Sequence, residues 1–192
     1  MKLIAITGGI GSGKSIVSRM VQVMGYHVYD CDSRAKLLMT ENPEVKQRLI
    51  HAFGPETYLD DGSINRLHLS AVAFADDESR ATLNGIVHPA TFQDISQWGE
   101  SQSSEGADIA FVETALFHTA KMEHMFDSVW HVTAPADIRI QRVMARSGLT
   151  AKEVQARIAA QTEEDRLEEG EQVIVNDGNT AVMPQVLRLL SR

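Results

Sequence analysis

The segment Gly8-Gly9-Ile10-Gly11-Ser12-Gly13-Lys14-Ser15 carries the densest chemistry in the chain. It matches G-x-x-x-x-G-K-[ST], with an apolar run before it and a helical pattern after it. Glycines let the backbone curl so that successive amides point at phosphate oxygens. The helix N-terminus adds unpaired amides and partial positive charge. Lys14 is placed to reach the β- and γ-phosphates, and the Ser15 hydroxyl to ligate the magnesium that bridges them. The pattern predicts ATP as co-substrate with Mg2+, held by Gly9, Gly11, Ser12, Gly13, Lys14, Ser15 and the Ile16 amide. The alternative, a glycine-rich turn with an exposed lysine, needs every specified position to coincide by chance.

Other residues extend this chemistry toward phosphoryl transfer. Asp30-Cys31-Asp32 ends a strand-like run, on the edge expected to adjoin the phosphate loop. Acids at i and i+2 share a face of an extended strand. Asp32 is the candidate for accepting the proton of an attacking hydroxyl; a helix N-cap is its bland alternative. Glu113 ends the apolar run Ile109-Ala110-Phe111-Val112, where an acid reaches magnesium through water or caps a turn. Arg142 and Arg146 stand at i and i+4 on one helix face, beside Arg139, Lys152 and Arg157. Arginines on a flap neutralise a transferred phosphoryl group. Their bland reading is a solvated face paired with Glu163, Glu164 and Asp165. The seven histidines show no metal-ligating spacing, His118 and His124 included. Trp98 and Trp130 read as packing residues.

These residues need a scaffold of alternating strands and helices. Strands are predicted at Leu3–Thr7, His27–Asp30, Ile109–Glu113, Ser128–Thr133 and Gln172–Asn176. Helices are predicted over Lys14–Met24, over Asp137–Ser147 and from a Thr150–Glu153 capping box to about Gln161, with Pro184 in the first turn of a last helix. Alternation implies a parallel sheet covered on both faces. About 75 residues separate the second strand from the third, far more than one crossover helix needs. A helical insertion is expected there.

Whole-chain properties exclude other classes. A chain of 192 residues suits one domain with insertions. A single cysteine, Cys31, rules out a disulfide framework or a multi-thiolate metal site. The net charge of −8 disfavours nucleic-acid and acidic-membrane binding. No apolar run approaches the ~18 residues of a membrane span, and a cytoplasmic location is expected. The chain is expected to be a monomer or a weak homo-oligomer.

Taken together, the motifs resemble those of the dephospho-coenzyme A kinase family, nearly end to end. The phosphate loop resembles the family's opening, and Asp30-Cys31-Asp32 its Asp-x-Asp. Leu83-Asn84-Gly85-Ile86-Val87-His88-Pro89 is similar to its Leu-Asn-x-Ile-x-His-Pro segment. Gln141-Arg142, Arg146 and Arg157 to Gln161 resemble its lid, and Val173 to Asn176 its late strand, whose Asn lies near the nucleotide. The chain departs from the family at Ala115, where proline is usual, at Val175, where Asp is common, and at Ile16, where Thr is usual. The resemblance implies a three-layer P-loop NTPase-type α/β fold with a five-stranded parallel sheet. Its core would be residues 1–32, 107–136 and 170–192, with a helical substrate-binding insertion at 33–100 and a lid at 137–165, all within one kinase domain. It implies phosphorylation of the ribose 3′-hydroxyl of dephospho-coenzyme A by ATP. Asp32 would be the general base, with Lys14 and Arg142 also catalytic. Asn176 and Arg142 would join the ATP site, and Asp32, His88, Arg146 and Arg157 the substrate site. The rivals are another phosphate-loop kinase, for a nucleoside, nucleotide or shikimate-like metabolite, and a non-catalytic nucleotide switch. The switch would carry an Asn-Lys-x-Asp guanine motif, which the sequence lacks.

Overall fold

The computed structural model describes residues 1–191. The order is β1 (Lys2–Thr7), α1 (Lys14–Val23), β2 (His27–Asp30), α2 (Cys31–Glu41), α3 (Pro43–Phe53), α4 (Arg66–Ala73), α5 (Asp77–Ser104), β3 (Ile109–Glu113), β4 (Ser128–Thr133), α6 (Ala136–Ser147), α7 (Ala151–Ala159), β5 (Gln172–Val175) and α8 (Val182–Leu190). They fall into two compact units, one of Met1–Asp30 with the chain from Gly99 onward, the other Cys31–Trp98.

The first unit is built on a five-stranded sheet of order β2-β3-β1-β4-β5, parallel at every pairing. Its strands read as apolar runs because both faces are covered. Ile4 and Ile6 join Phe111, Trp130, Val132 and Ile174 on one face, under Val17 and Val21 of α1 and Val182 and Val186 of α8. Ala5 points to the opposite face and is also fully buried. Burial of Val17 and Val21 contributes about 1.5–3 kcal/mol each. Trp130 packs on Phe111 with ring centroids 5.0 Å apart, as a core residue. The edge strand β5 is finished by a side chain: the Gln185 amide accepts from Val175 N–H and donates to Val175 C=O, both at 2.9 Å.

The predicted strands are all present, within one residue at each end. The capping box is complete at Thr150 and Glu153. The helix it opens stops at Ala159, before Gln161, and a 3-10 turn follows at Thr162–Asp165.

The second unit is helical. Asn42 caps α3 by accepting from the amides of Glu44 and Val45, with Pro43 in the first turn. Val45, Leu49 and Ile86 form its core with Met39, Phe53, Tyr58 and Leu83 around them. Tyr58 donates to the Met39 carbonyl at 2.6 Å, and burial pushes its phenol up to about 12. Pro89 lies inside α5, where it cannot donate to the carbonyl of Gly85. Arg48 of α3 supplies the missing donor, from Nη2 to Gly85 O at 3.2 Å. The helix therefore continues through a residue that ordinarily ends one.

One local expectation is corrected. The chain enters α2 at Cys31, directly after β2, so Asp32 is in the helix's first turn. It is neither an N-cap nor on an extended strand with Asp30. A strand periodicity carried two residues too far produced that reading.

Candidate active site

The phosphate loop joins β1 to α1, and side chains from three later segments hold it. Lys14 Nζ donates to the carbonyl of Gly8 at 2.6 Å and faces that of Gly9 at 3.4 Å. Arg139 Nε donates to Ile10 O at 2.8 Å. Arg142 Nη1 faces the carbonyls of Gly11 and Ser12 at 3.4 Å. Asn176 Nδ2 donates to Ser12 O at 2.9 Å. In a trans peptide the N–H points opposite to the C=O. Turning the carbonyls of residues 10–12 outward therefore turns the amides of residues 11–13 toward the inside of the loop, where an anion cradle needs them; there Ser12 N–H donates to Gly9 O at 3.2 Å, an acceptor that a phosphate oxygen would replace.

Two glycines are fixed by these contacts. Gly13 has φ 105, and a Cβ there would strike the Asn176 amide. A Cβ at Gly9 would strike the carboxylate of Asp165 and the guanidinium of Arg139. The loop thus depends on glycine for close approach as well as for conformation.

The arginines divide by their partners. Arg139 is 6% exposed and donates from Nη1 to both oxygens of Asp165 at 2.8 Å. Its charge is neutralised and its role is to brace the loop. Arg142 faces carbonyls and Asn176 Oδ1, the latter at 3.2 Å, and no carboxylate among the described residues pairs with it, so its positive charge stays uncompensated beside the loop. Arg146 and Arg157 are exposed, one turn further on α6 and on α7. Gln161, past the end of α7, accepts from Ile10 N–H at 3.0 Å, which ties this segment directly to the phosphate loop.

The acids are ordered by the sheet. Ile6 is in register with Glu113, and Glu113 with Asp30. Glu113 is thus the carboxylate on the strand beside β1, and Asp30 lies two strand spacings away, about 10 Å. The expectation that β2 adjoins the loop is corrected: β3 lies between, and strand order is not written in chain order. Ser15 is exposed in the first turn of α1, and Ile16 is 46% exposed. The Ser15 hydroxyl and the Glu113 carboxylate offer oxygen donors only, the chemistry a hard Mg2+ ion accepts.

Asp32 and His88 belong to the helical unit. Asp32 is exposed. His88 is half-buried and stacks on Phe92 with centroids 6.1 Å apart. Burial pushes its pKa below the ordinary value, so the ring is neutral at neutral pH. It can offer hydrogen bonds but not a charge. The same unit holds a cavity of about 780 Å³, within the range of small-molecule sites. Leu37, Met39, Leu69 and Phe74 supply apolar wall, with Lys36 and Arg66 as cations.

A five-stranded parallel sheet with a braced phosphate loop at the end of its central strand defines a phosphate-loop nucleotide-binding protein. The family model "CoaE: Dephospho-CoA kinase" matches residues 2–182. A dephospho-CoA kinase from Porphyromonas gingivalis is 36% identical over 99% of this chain and 93% of its own length. One from Corynebacterium diphtheriae is 35% identical over 99% and 96%. A solved Thermus thermophilus structure superposes with TM-score 0.80 at 33% identity, covering 99% of this chain and 94% of that one. The chain belongs to the dephospho-CoA kinase family. A shikimate kinase from Acinetobacter baumannii, at 12% identity and TM-score 0.54 over 100% of this chain and 92% of that one, shares the fold alone.

Sequence reasoning missed two things. Gln161 carried no sign of its contact with Ile10. His118, His131 and Glu171 converge in the first unit, although their separation along the chain matches no ligand spacing. The spacing of the histidines carries no metal motif; their convergence with Glu171 is a product of the fold.

Proposed function

We propose that this chain transfers the γ-phosphoryl group of ATP to the ribose 3′-hydroxyl of dephospho-coenzyme A, giving coenzyme A and ADP. This is the last step of coenzyme A biosynthesis. The observation that carries the reading is the family match over residues 2–182, on a chain whose phosphate loop is intact. The loop amides of Gly9, Gly11, Ser12 and Gly13 bind the phosphates, and Lys14 swings from the Gly8 carbonyl onto them. Asn176 holds the loop in shape. Arg142 opposes the negative charge that spreads over the transferred group. Asp32 accepts the proton of the 3′-hydroxyl as its oxygen bonds to phosphorus and the bond to the β–γ bridging oxygen breaks. Ser15, with Glu113 through water, would hold Mg2+, which supplies charge neutralisation at the β- and γ-phosphates.

The residues proposed for the acceptor are Asp32 and His88 in the helical unit and Arg146 and Arg157 in the first. The cavity beside Lys36 and Arg66 suits an apolar arm joined to a diphosphate. Both substrates are polyanions, so local cations must work within a chain of net charge −8. Consistent with a cytoplasmic enzyme of small molecules, no helix among the described residues is long and apolar enough to cross a membrane.

The test is a panel of dephospho-coenzyme A, adenosine, AMP and shikimate, read by ADP release and product mass. Dephospho-coenzyme A should gain one phosphate at the 3′ position. Preference for another acceptor would overturn the assignment. Asp32→Asn should lower kcat at least ~100-fold and leave ATP affinity within a few-fold; near-normal turnover would remove Asp32 as the base.

A further inference from the structure

His118 stands in the loop after β3, His131 in the middle of β4, and Glu171 just before β5. Their side chains are 8%, 2% and 5% exposed. Glu171 Oε2 lies 3.0 Å from His131 Nδ1, and Glu171 Oε1 lies 3.3 Å from His118 Nε2. One donor atom from each residue lies within 4.8 Å of the other two. The nitrogen of His118 and the oxygen of Glu171 that face each other are both buried without a hydrogen bond. Leaving such groups unsatisfied is costly, and in native proteins they commonly mark an ion or a water.

We propose that His118, His131 and Glu171 form a binding site for a divalent transition metal of the Zn2+ type. Two imidazoles and a carboxylate suit zinc and its neighbours, whereas Mg2+ prefers oxygen throughout. Metal–ligand bonds of about 2.0–2.2 Å place adjacent tetrahedral donors about 3.3–3.5 Å apart. Each Glu171 oxygen is already near that separation from one histidine, Oε1 from His118 and Oε2 from His131. The three donor atoms, within 4.8 Å of one another, need to draw in around an ion, and His118 sits on a loop. That loop is itself held from outside the cluster. The fully buried carboxylate of Glu164 accepts from the amides of His118 and Thr119 at 3.3 and 2.9 Å. The second nitrogen of His118 faces the Glu123 carboxylate at 3.7 Å, a short closure away from the hydrogen bond that metal-bound histidines usually donate to an outer carboxylate. A bound ion would pin the loop after β3, the strand β4 and the return into β5 to one another.

The experiment uses the full chain, stripped of metal and free of nucleotide, with millimolar Mg2+ present to occupy all-oxygen sites. Zn2+ is titrated by calorimetry, and Co2+ is followed by its visible bands. One equivalent should bind in the micromolar range or tighter, with four-coordinate Co2+ bands. At Zn2+ about 100-fold above Kd, Tm should rise by roughly 5–10 °C. His118→Gln and Glu171→Gln should each weaken Zn2+ binding at least ~100-fold and abolish the Tm rise, with circular dichroism unchanged. If Glu171→Gln does not fold, His118→Gln decides alone. No saturable binding of Zn2+ or Co2+, or equal affinity in His118→Gln, would overturn the site.

Discussion

Arg139 and Arg142 lie three residues apart on α6, yet their surroundings give them opposite tasks. Arg139 is enclosed, charge-paired with Asp165, and bonded to the backbone of the loop. Its removal leaves the Asp165 carboxylate and the Ile10 carbonyl without their donor. Arg139→Met should therefore cost about 2 kcal/mol of stability, or roughly 4–8 °C in Tm. Arg142 carries uncompensated charge and holds the loop through long contacts. Arg142→Met should lower kcat at least ~100-fold while moving Tm by under about 3 °C. Calorimetry and steady-state kinetics on both variants check the division. Equal Tm losses would contradict it. The sequence showed that arginines belonged on this helix, because their spacing is visible. It could not sort them, because the sorting rests on Asp165, Asn176 and three loop carbonyls brought together only by folding.

At the scale of elements, α5 shows where local sequence rules yield to tertiary contacts. His88-Pro89 reads as a boundary, since proline removes a helical donor and clashes with the carbonyl four residues earlier. That carbonyl belongs to Gly85, and the Arg48 guanidinium covers it. The contact is exposed, so its worth is modest. Arg48→Ala should cost about 0.5–1.5 kcal/mol. The same loss should be absent when Pro89 is replaced by Ala, because a backbone N–H then serves Gly85. Urea unfolding of the two single variants and the double variant measures this as a cycle. Additive effects would show that Arg48 acts elsewhere. The strands were legible throughout, because apolar runs covered on both faces leave a plain signal. The strand order was not, and with it went the neighbours of the phosphate loop. Only the pairing of Ile6 with Glu113, and of Glu113 with Asp30, makes Glu113 the nearer acid.

At the scale of the molecule, the proposed function gives most of the donor site to the first unit and much of the acceptor site to the second. Arg139, Arg142, Gln161 and Asn176, which hold the phosphate loop, belong to the first unit. The cavity with Lys36 and Arg66 lies wholly in the second. The two ligands should then protect different amides from hydrogen exchange. ATP with Mg2+, at about 100-fold over its Kd, stabilises by about 2.7 kcal/mol whatever it binds. That protection should concentrate in residues 8–23 and 137–165. Dephospho-coenzyme A should protect α2 and α4. Lys14→Ala should remove the first pattern and spare the second. Exchange followed by mass spectrometry, one ligand at a time, resolves the two segments. If ATP alone protected α2 and α4 as strongly as the loop, the units would respond as one, and the assignment of one ligand to each would fail.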